Sequence, residues 1–211
     1  WYRSRGLGDV YKRQIHNPSF EYNLDINSTI DEPLKICNEL KNDSLVKKYS
    51  SRLIISAMAS TAHGAQGIKL IGIDSDEEKT FSDISQNMID GNYFSKIKSK
   101  PVIIGKKLAD NLNLDLKKKI SFTFVDDNGD LQRVKFKVEG IYKSANSIFD
   151  GSTVYVKKQD LIKLIDKKSS IHEIAIVLNN IEDSDILKKK LLNQNSNNKV
   201  ETWKDLSPEL G

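Results

Sequence analysis

"KKISFTFVDDNGDLQRVKFKVEGIYKS", residues 118–144, carries the strongest structural signal in the chain. Ile120, Phe122 and Phe124 alternate with Ser121 and Thr123 before "DDNG"; Val134, Phe136 and Val138 alternate with Lys135 and Lys137 after it. Such alternation sends one set of side chains to a buried face of a strand and the other to solvent. Asn128-Gly129 between the two runs is a hairpin signal, because both residues tolerate the left-handed backbone of tight turns. The stretch predicts a pair of antiparallel strands.

Working outward, "PVIIG" (101–105) reads as a buried strand and "KKLADNLNL" (106–114) as a short helix, with Leu108, Ala109 and Leu112 on one face. Residues 46–62 are strand-like, "HGAQG" (63–67) is a turn, and "IKLIGI" (68–73) is the returning strand of a second hairpin. "DEPLKICNELKND" (31–43) predicts a helix with Asp31 as N-cap and Pro33 in the first turn. The acidic stretch 74–94 predicts a short helix over Ser82–Asp90, stopped at Gly91. Downstream come a strand at 152–156, an amphipathic helix at 157–168 and a strand at 171–178. A second amphipathic helix follows at 182–194, then a short strand from 199 that leads into a helix. The second half alternates strand and helix while the middle is hairpin-rich. This predicts an α+β fold: an α/β porter-like layer with a mostly β inserted subdomain.

The 211 residues are 38% hydrophobic and 29% charged, enough to bury a core under a water-facing surface. No apolar run approaches the roughly 18 residues that would span a bilayer; "RLIISAMA" and "PVIIG" are strand-length. The formal charge of +4 depends on the first fourteen residues, "WYRSRGLGDVYKRQ". These hold Arg3, Arg5, Lys12 and Arg13 against Asp9, and without them the balance is +1. The segment lacks the apolar stretch of a secretory signal, and Gly6 and Gly8 break any amphipathic helix. Ser4–Gln14 resembles a translated transposase adapter from shotgun sequencing libraries. Residues 1–14 are therefore expected to be foreign and to add nothing to the core, with the native domain covering 15–211.

No catalytic constellation emerges. His16, His63 and His172 are scattered, and Cys37 is the only cysteine, so no metal-ligand spacing exists. "DDNGD" (126–130) lacks the glutamate that completes a calcium loop. "IIGKK" lacks the spaced glycine and the Ser/Thr of a phosphate loop, and no G-x-S-x-G elbow occurs. The lysine runs at 117–119 and 188–190 have no interleaved aromatics for stacking bases and read as solvated faces, so nucleic acid is not an expected partner. No catalytic, metal or cofactor residue is assigned. On the residues alone, the chain is a binding or scaffolding module.

Several segments in order are similar to one family. They are "SRLIISAMAS", "IKLIGIDSDEEKTFSDIS", "MIDGNYF", "VIIGKKLADNLNLDLKKKISFTF", "FKVEGIYKSANSIFDGSTVYV", "IHEIAIVL" and "VETWKDLSPEL". Together, across about Ile15–Gly211, they resemble the lipoprotein-releasing ABC transporter permeases (LolC/LolE-like), whose extracytoplasmic part is a MacB-like periplasmic core domain. "LDLKKKI" departs from the family pattern by lacking a turn glycine; Asp115 and the lysines are expected to form an exposed turn instead. The resemblance implies a non-catalytic domain on the periplasmic face of the bacterial inner membrane, between two membrane helices that lie outside 15–211. It implies an ABC ATPase subunit, a second permease subunit, lipoprotein cargo and a periplasmic lipoprotein carrier as partners. In that family the recruiting subunit holds the carrier with a long loop on a β-hairpin. The matching position here is about Val125–Val134, where "DDNGD" is short. That implies a cargo-side paralogue or a homodimeric permease. Gln132 and Arg133, beside the turn, are the candidate partner contacts; ordinary exposed strand residues are the alternative. A related drug-, peptide- or cell-wall-hydrolase-regulating permease and a free-standing binding protein also remain open.

Overall fold

The computed structural model describes residues 12–20, 25–94, 100–165, 170–194 and 197–202. Its spine is one long strand, β2 (Val46–Thr61). Sixteen residues at about 3.3 Å each span about 50 Å. Its first half belongs to one layer and its second half to another.

The second half starts a ring. β2 pairs antiparallel with β3 (Gly64–Ile73), and β3 pairs parallel with β8 (Thr153–Lys157). β8 pairs antiparallel with β5 (Pro101–Gly105), and β5 pairs parallel with β7 (Leu131–Tyr142). β7 pairs with β6 (Lys119–Val125), and β6 returns to β2 through Met58↔Thr123, Ala59↔Phe122 and Ser60↔Ser121. Closing a sheet on itself removes free edges and encloses alternate side chains. Leu53, Ile55, Ala57 and Ala59 of β2 meet Ile120, Phe122 and Phe124 of β6 and Val134, Phe136 and Val138 of β7 in that interior. The helix α3 (Lys106–Asn111) packs Leu108 and Ala109 into the same cluster near Thr61, whose hydroxyl donates to Leu112 O. The helix α5 (Lys158–Ile165) adds Leu161 and Ile165 at the Ser51 end. Gly72 lets α5 approach: a Cβ there would lie 2.9 Å from Leu161 Cδ1.

The first half of β2 pairs with β9 (Glu173–Leu178), which pairs with β1 (Lys12–His16), which pairs with β10 (Lys199–Glu201), all antiparallel. Helices α1 (Pro33–Asn42) and α6 (Ser184–Gln194) cover this layer, burying Ile36, Leu40, Leu187 and Leu191 on Ile15, Ile174, Ile176 and Leu178. The other face takes Phe81 of α2 (Ser75–Phe81), set on Ala175 and Val177. The predicted α/β layer with a mostly β insertion is this arrangement.

Several local expectations are corrected. The acidic helix lies over Ser75–Phe81, because Asp74 Oδ1 accepts from the amides of Asp76 and Glu77. Asp76, Glu77 and Glu78 then sit in its first turn, where the helix dipole favours them. Of the predicted Ser82–Asp90 helix only a 3-10 turn at Asp83–Ser85 forms, and Met88–Gly91 is strand β4, paired with β7. Asp31 is not the N-cap of α1: Glu32 holds that place at φ 48°, while Asp31 accepts from Asn197 Nδ2 at 2.8 Å. A helix not foreseen, α4 (Ser147–Ser152), is capped by Asn146 Oδ1. Residues 1–11 and 203–211, the latter holding the final predicted helix, lie outside the described residues. The opening segment is expected to add nothing to the core, and of it residues 12–14 are described. Lys12, Arg13 and Gln14 pair in register with Val177, Ile176 and Ala175. Backbone ladder bonds need no particular side chain, so pairing runs past Ile15. Ile15, 1% exposed, is the first described residue to enter a core cluster.

Candidate interaction surface

The hairpin β6–β7 is built as its alternation requires, but its connection is longer than a two-residue turn. Asp126 organises it. Its Oδ1 accepts from the amides of Asn128 (3.0 Å) and Asp130 (2.9 Å), and its Oδ2 accepts from Gln132 Nε2 (2.7 Å). The Gln132 bond and then the backbone amides hold the Asp126 carboxyl below its ordinary range. Gly129 takes φ +87°, the left-handed backbone the turn demands. Gln132 is thus spent inside the hairpin. Arg133, one residue on, faces out and is exposed.

Arg133 has company that the sequence reading passed over. The outward positions of the three adjoining strands line a shallow open depression of about 370 Å³, formed by Ser60, Thr61, Ala62, Lys119, Ser121, Arg133 and Lys135. Lys119 stands directly opposite Lys137, and Lys135 opposite Ser121. Among the described residues no ion pair engages Lys119, Arg133, Lys135 or Lys137. At the tip, Val125 and Leu131 pair across the strands and are 53% and 72% exposed; Met58, opposite Thr123 of β6, is 47% exposed. Period-two spacing places Lys119, Ser121, Arg133 and Lys135 on one face, so this signal was available in the sequence.

A second polar cluster lies inside, where β2 changes partners. Arg52 grips Glu78 with Nε and Nη2 (3.0 and 2.7 Å) and Glu173 with Nη1 (2.8 Å). Ser50 Oγ donates to Glu78 at 2.6 Å, and the Arg52 guanidinium lies 5.3 Å from the Phe81 ring. Burial raises the affinity of Glu78 for a proton, but Arg52, Ser50 and Ser82 outweigh it and hold the carboxyl low. The cluster ties α2 and β9 to the midpoint of β2. Every member is paired with protein, so it is a fastening and not an open site.

The histidines stay apart. His172 is fully buried, stacked on Phe20 at 4.6 Å, with Nδ1 accepting from the Ile54 amide and Nε2 directed at Ile26 O. His16 pairs with Glu201 at 2.9 Å, and His63 is exposed at the β2–β3 turn. Burial pushes the Cys37 thiol up to about 11, away from reactivity. No group of His, Cys, Asp and Glu suited to a metal ion occurs among the described residues. Nor is any helix among them long and apolar enough to cross a membrane.

No family model and no curated protein sequence matches the chain. Solved structures do. The extracellular domain of the noncanonic ABC-type transporter YknZ from Gram-positive bacteria aligns over 90% of this chain and 100% of that one, with a TM-score of 0.62 and 19% identity. The periplasmic region of MacB from Actinobacillus actinomycetemcomitans aligns over 96% and 93%, with a TM-score of 0.66 and 13% identity. The chain has the fold of these transporter domains. The resemblance carried by the ordered segments and the topology of the sheet therefore agree on architecture.

Proposed function

We propose that this chain is the non-catalytic extracytoplasmic domain of an ABC transporter permease, on the periplasmic face of a bacterial inner membrane. The observation that carries the reading is the pairing of β1 with β10. The two strands are adjacent and antiparallel, with Ile15 opposite Val200 and His16 opposite Lys199. Backbone entering at Ile15 and leaving at Val200 therefore passes the same end of the same sheet. That is what a domain inserted between two membrane helices requires. The likeness to the YknZ and MacB domains supports the same placement.

Within this reading ATP is hydrolysed on a separate cytoplasmic subunit, and a second permease subunit completes the complex. The cargo is lipoprotein, released from the inner membrane to a periplasmic carrier. The β2 spine links the membrane-proximal layer to the ring, and the Arg52 fastening passes displacement from one to the other. Arg133 is the outward residue of the hairpin that meets a partner. Gln132 supports it by holding the turn through Asp126. The five-residue connection Asp126–Asp130 favours a cargo-side or homodimeric permease over one with a long carrier-holding loop.

The test is to recover the genomic reading frame, express the whole protein with the neighbouring ATPase gene and assay ATP-driven release of a lipoprotein from proteoliposomes. The expected result is a membrane helix on each side of the domain, co-purification of the ATPase, and release dependent on ATP. A frame without membrane helices refutes the permease reading. ATP-driven export of small solutes with no lipoprotein release refutes the lipoprotein assignment alone.

A further inference from the structure

The outward face of the ring at β2, β6 and β7 carries unpaired charge at a cost to the fold. Lys119 and Lys137 are direct cross-strand neighbours, and like charges in that position destabilise a sheet. Lys135 and Arg133 stand beside them, and none of the four has an acidic partner among the described residues. The floor between them is polar. Ser60, Ser121 and Lys135 form one row across three strands, about 10 Å from end to end at the usual strand spacing. The Ser60 and Ser121 side chains line the depression, and neither hydroxyl bonds to a described protein group. Thr61 and Ala62 also line it.

We propose that this depression is a binding site for a phosphoryl group. A compact, tetrahedral, doubly charged oxyanion takes short charge-assisted bonds from Arg133, Lys119 and Lys135. It also accepts from the Ser60 and Ser121 hydroxyls in place of water. The depression is open on its outer side, so an organic substituent on the phosphoryl group is not sterically excluded. Nucleic acid is disfavoured, because no aromatic side chain lines the depression to stack a base. The phosphoryl group comes either from a free phosphate ester or from a lipid headgroup. The site goes beyond the transporter reading and stands or falls separately from it.

The experiment uses the whole chain and follows amide resonances while inorganic phosphate is added, with sodium chloride of equal ionic strength as control. Saturable shifts are expected at Ser60, Ser121 and Lys135. Lys135→Glu is expected to weaken them about ten-fold or more, the effect of losing one charge-assisted hydrogen bond, and Ser60→Ala by less. Unchanged circular dichroism and melting of both variants separates loss of binding from loss of fold. Phosphatidylcholine vesicles with and without phosphatidic acid then distinguish the source. Retention only on the phosphatidic acid vesicles, lost in Lys135→Glu, assigns a lipid headgroup. Phosphate shifts without retention assign a free ester. Shifts no larger than those from chloride, or equal in Lys135→Glu, overturn the proposal, as does a response to an acidic peptide alone.

Discussion

Replacing Arg52 with methionine is expected to cost about 3–5 kcal/mol at pH 7. Glu78 has a fully buried side chain, and Arg52 supplies its only cation among the described residues, through two hydrogen bonds of 2.7 and 3.0 Å. Methionine fills much of the same volume, so the loss is chiefly an uncompensated buried carboxylate and not a cavity. Its sign against pH follows. In the wild type Arg52 holds the Glu78 carboxyl below its ordinary range. That stabilisation is complete above the unfolded carboxyl value of about 4.3 and is lost as pH falls through the lower folded value. In Arg52→Met only the Ser50 and Ser82 hydrogen bonds oppose burial, the largest influence, so the carboxyl is expected to rise and this variant to gain stability relative to wild type as pH falls from 7 towards 5. The double variant Arg52→Met/Glu78→Met removes both charges and is expected to recover most of the loss. Urea unfolding followed by far-ultraviolet circular dichroism at pH 7 and pH 5 measures all three. A cost below about 1 kcal/mol, or a cost equal at both pH values, would refute the argument that Glu78 depends on Arg52.

Lys117 sits at φ 66°, exposed, in the turn that leads into β6. Lys117→Gly is expected to stabilise the chain by about 0.5–1 kcal/mol, a rise of about 1–4 °C in melting temperature, while Lys117→Ala gains nothing. Gly105 needs space and not conformational freedom, since an added Cβ would lie 2.1 Å from Asp150 O. Gly105→Ala should therefore cost about 1–3 kcal/mol or more in denaturant melts. Glu201 lies between Lys199 and His16, and although its partial burial opposes this, those partners hold its carboxyl low. Stability from Glu201 is present above the unfolded value and lost as pH falls through the folded one, so wild type and Glu201→Gln should differ at pH 7 and converge once the pH is below the folded value. Divergence that persists there would show that the substituted amide perturbs packing instead.

Period-two alternation made the β6–β7 and β2–β3 hairpins legible, and apolar faces made α1, α3, α5 and α6 legible. Those features depend on neighbours within a few residues. The acidic helix was misplaced because aspartates and serines serve equally as helix caps and as turn residues. Only the bond from Asp74 to the Asp76 and Glu77 amides selects Ser75–Phe81. At the candidate surface, alternation placed Arg133 outward. The same parity groups Gln132 with Val134 and Phe136, which is why its amide turns to Asp126 instead of a partner.

The amino-acid sequence by itself determined the β6–β7 and β2–β3 hairpins, the helices α1, α3, α5 and α6, and the shortness of the Asp126–Asp130 connection. Each follows from side-chain type at fixed spacing. Only the tertiary structure decided that the strands close into a ring through β6 and β2, and that Arg52 finds Glu78 and Glu173. Only it brought Ser60 into one row with Ser121 and Lys135. Ring closure, the Arg52 pairs and the approach of Ser60 to Ser121 join residues 26 or more positions apart. Their energy comes from burial and partner geometry that exist only once the chain has folded.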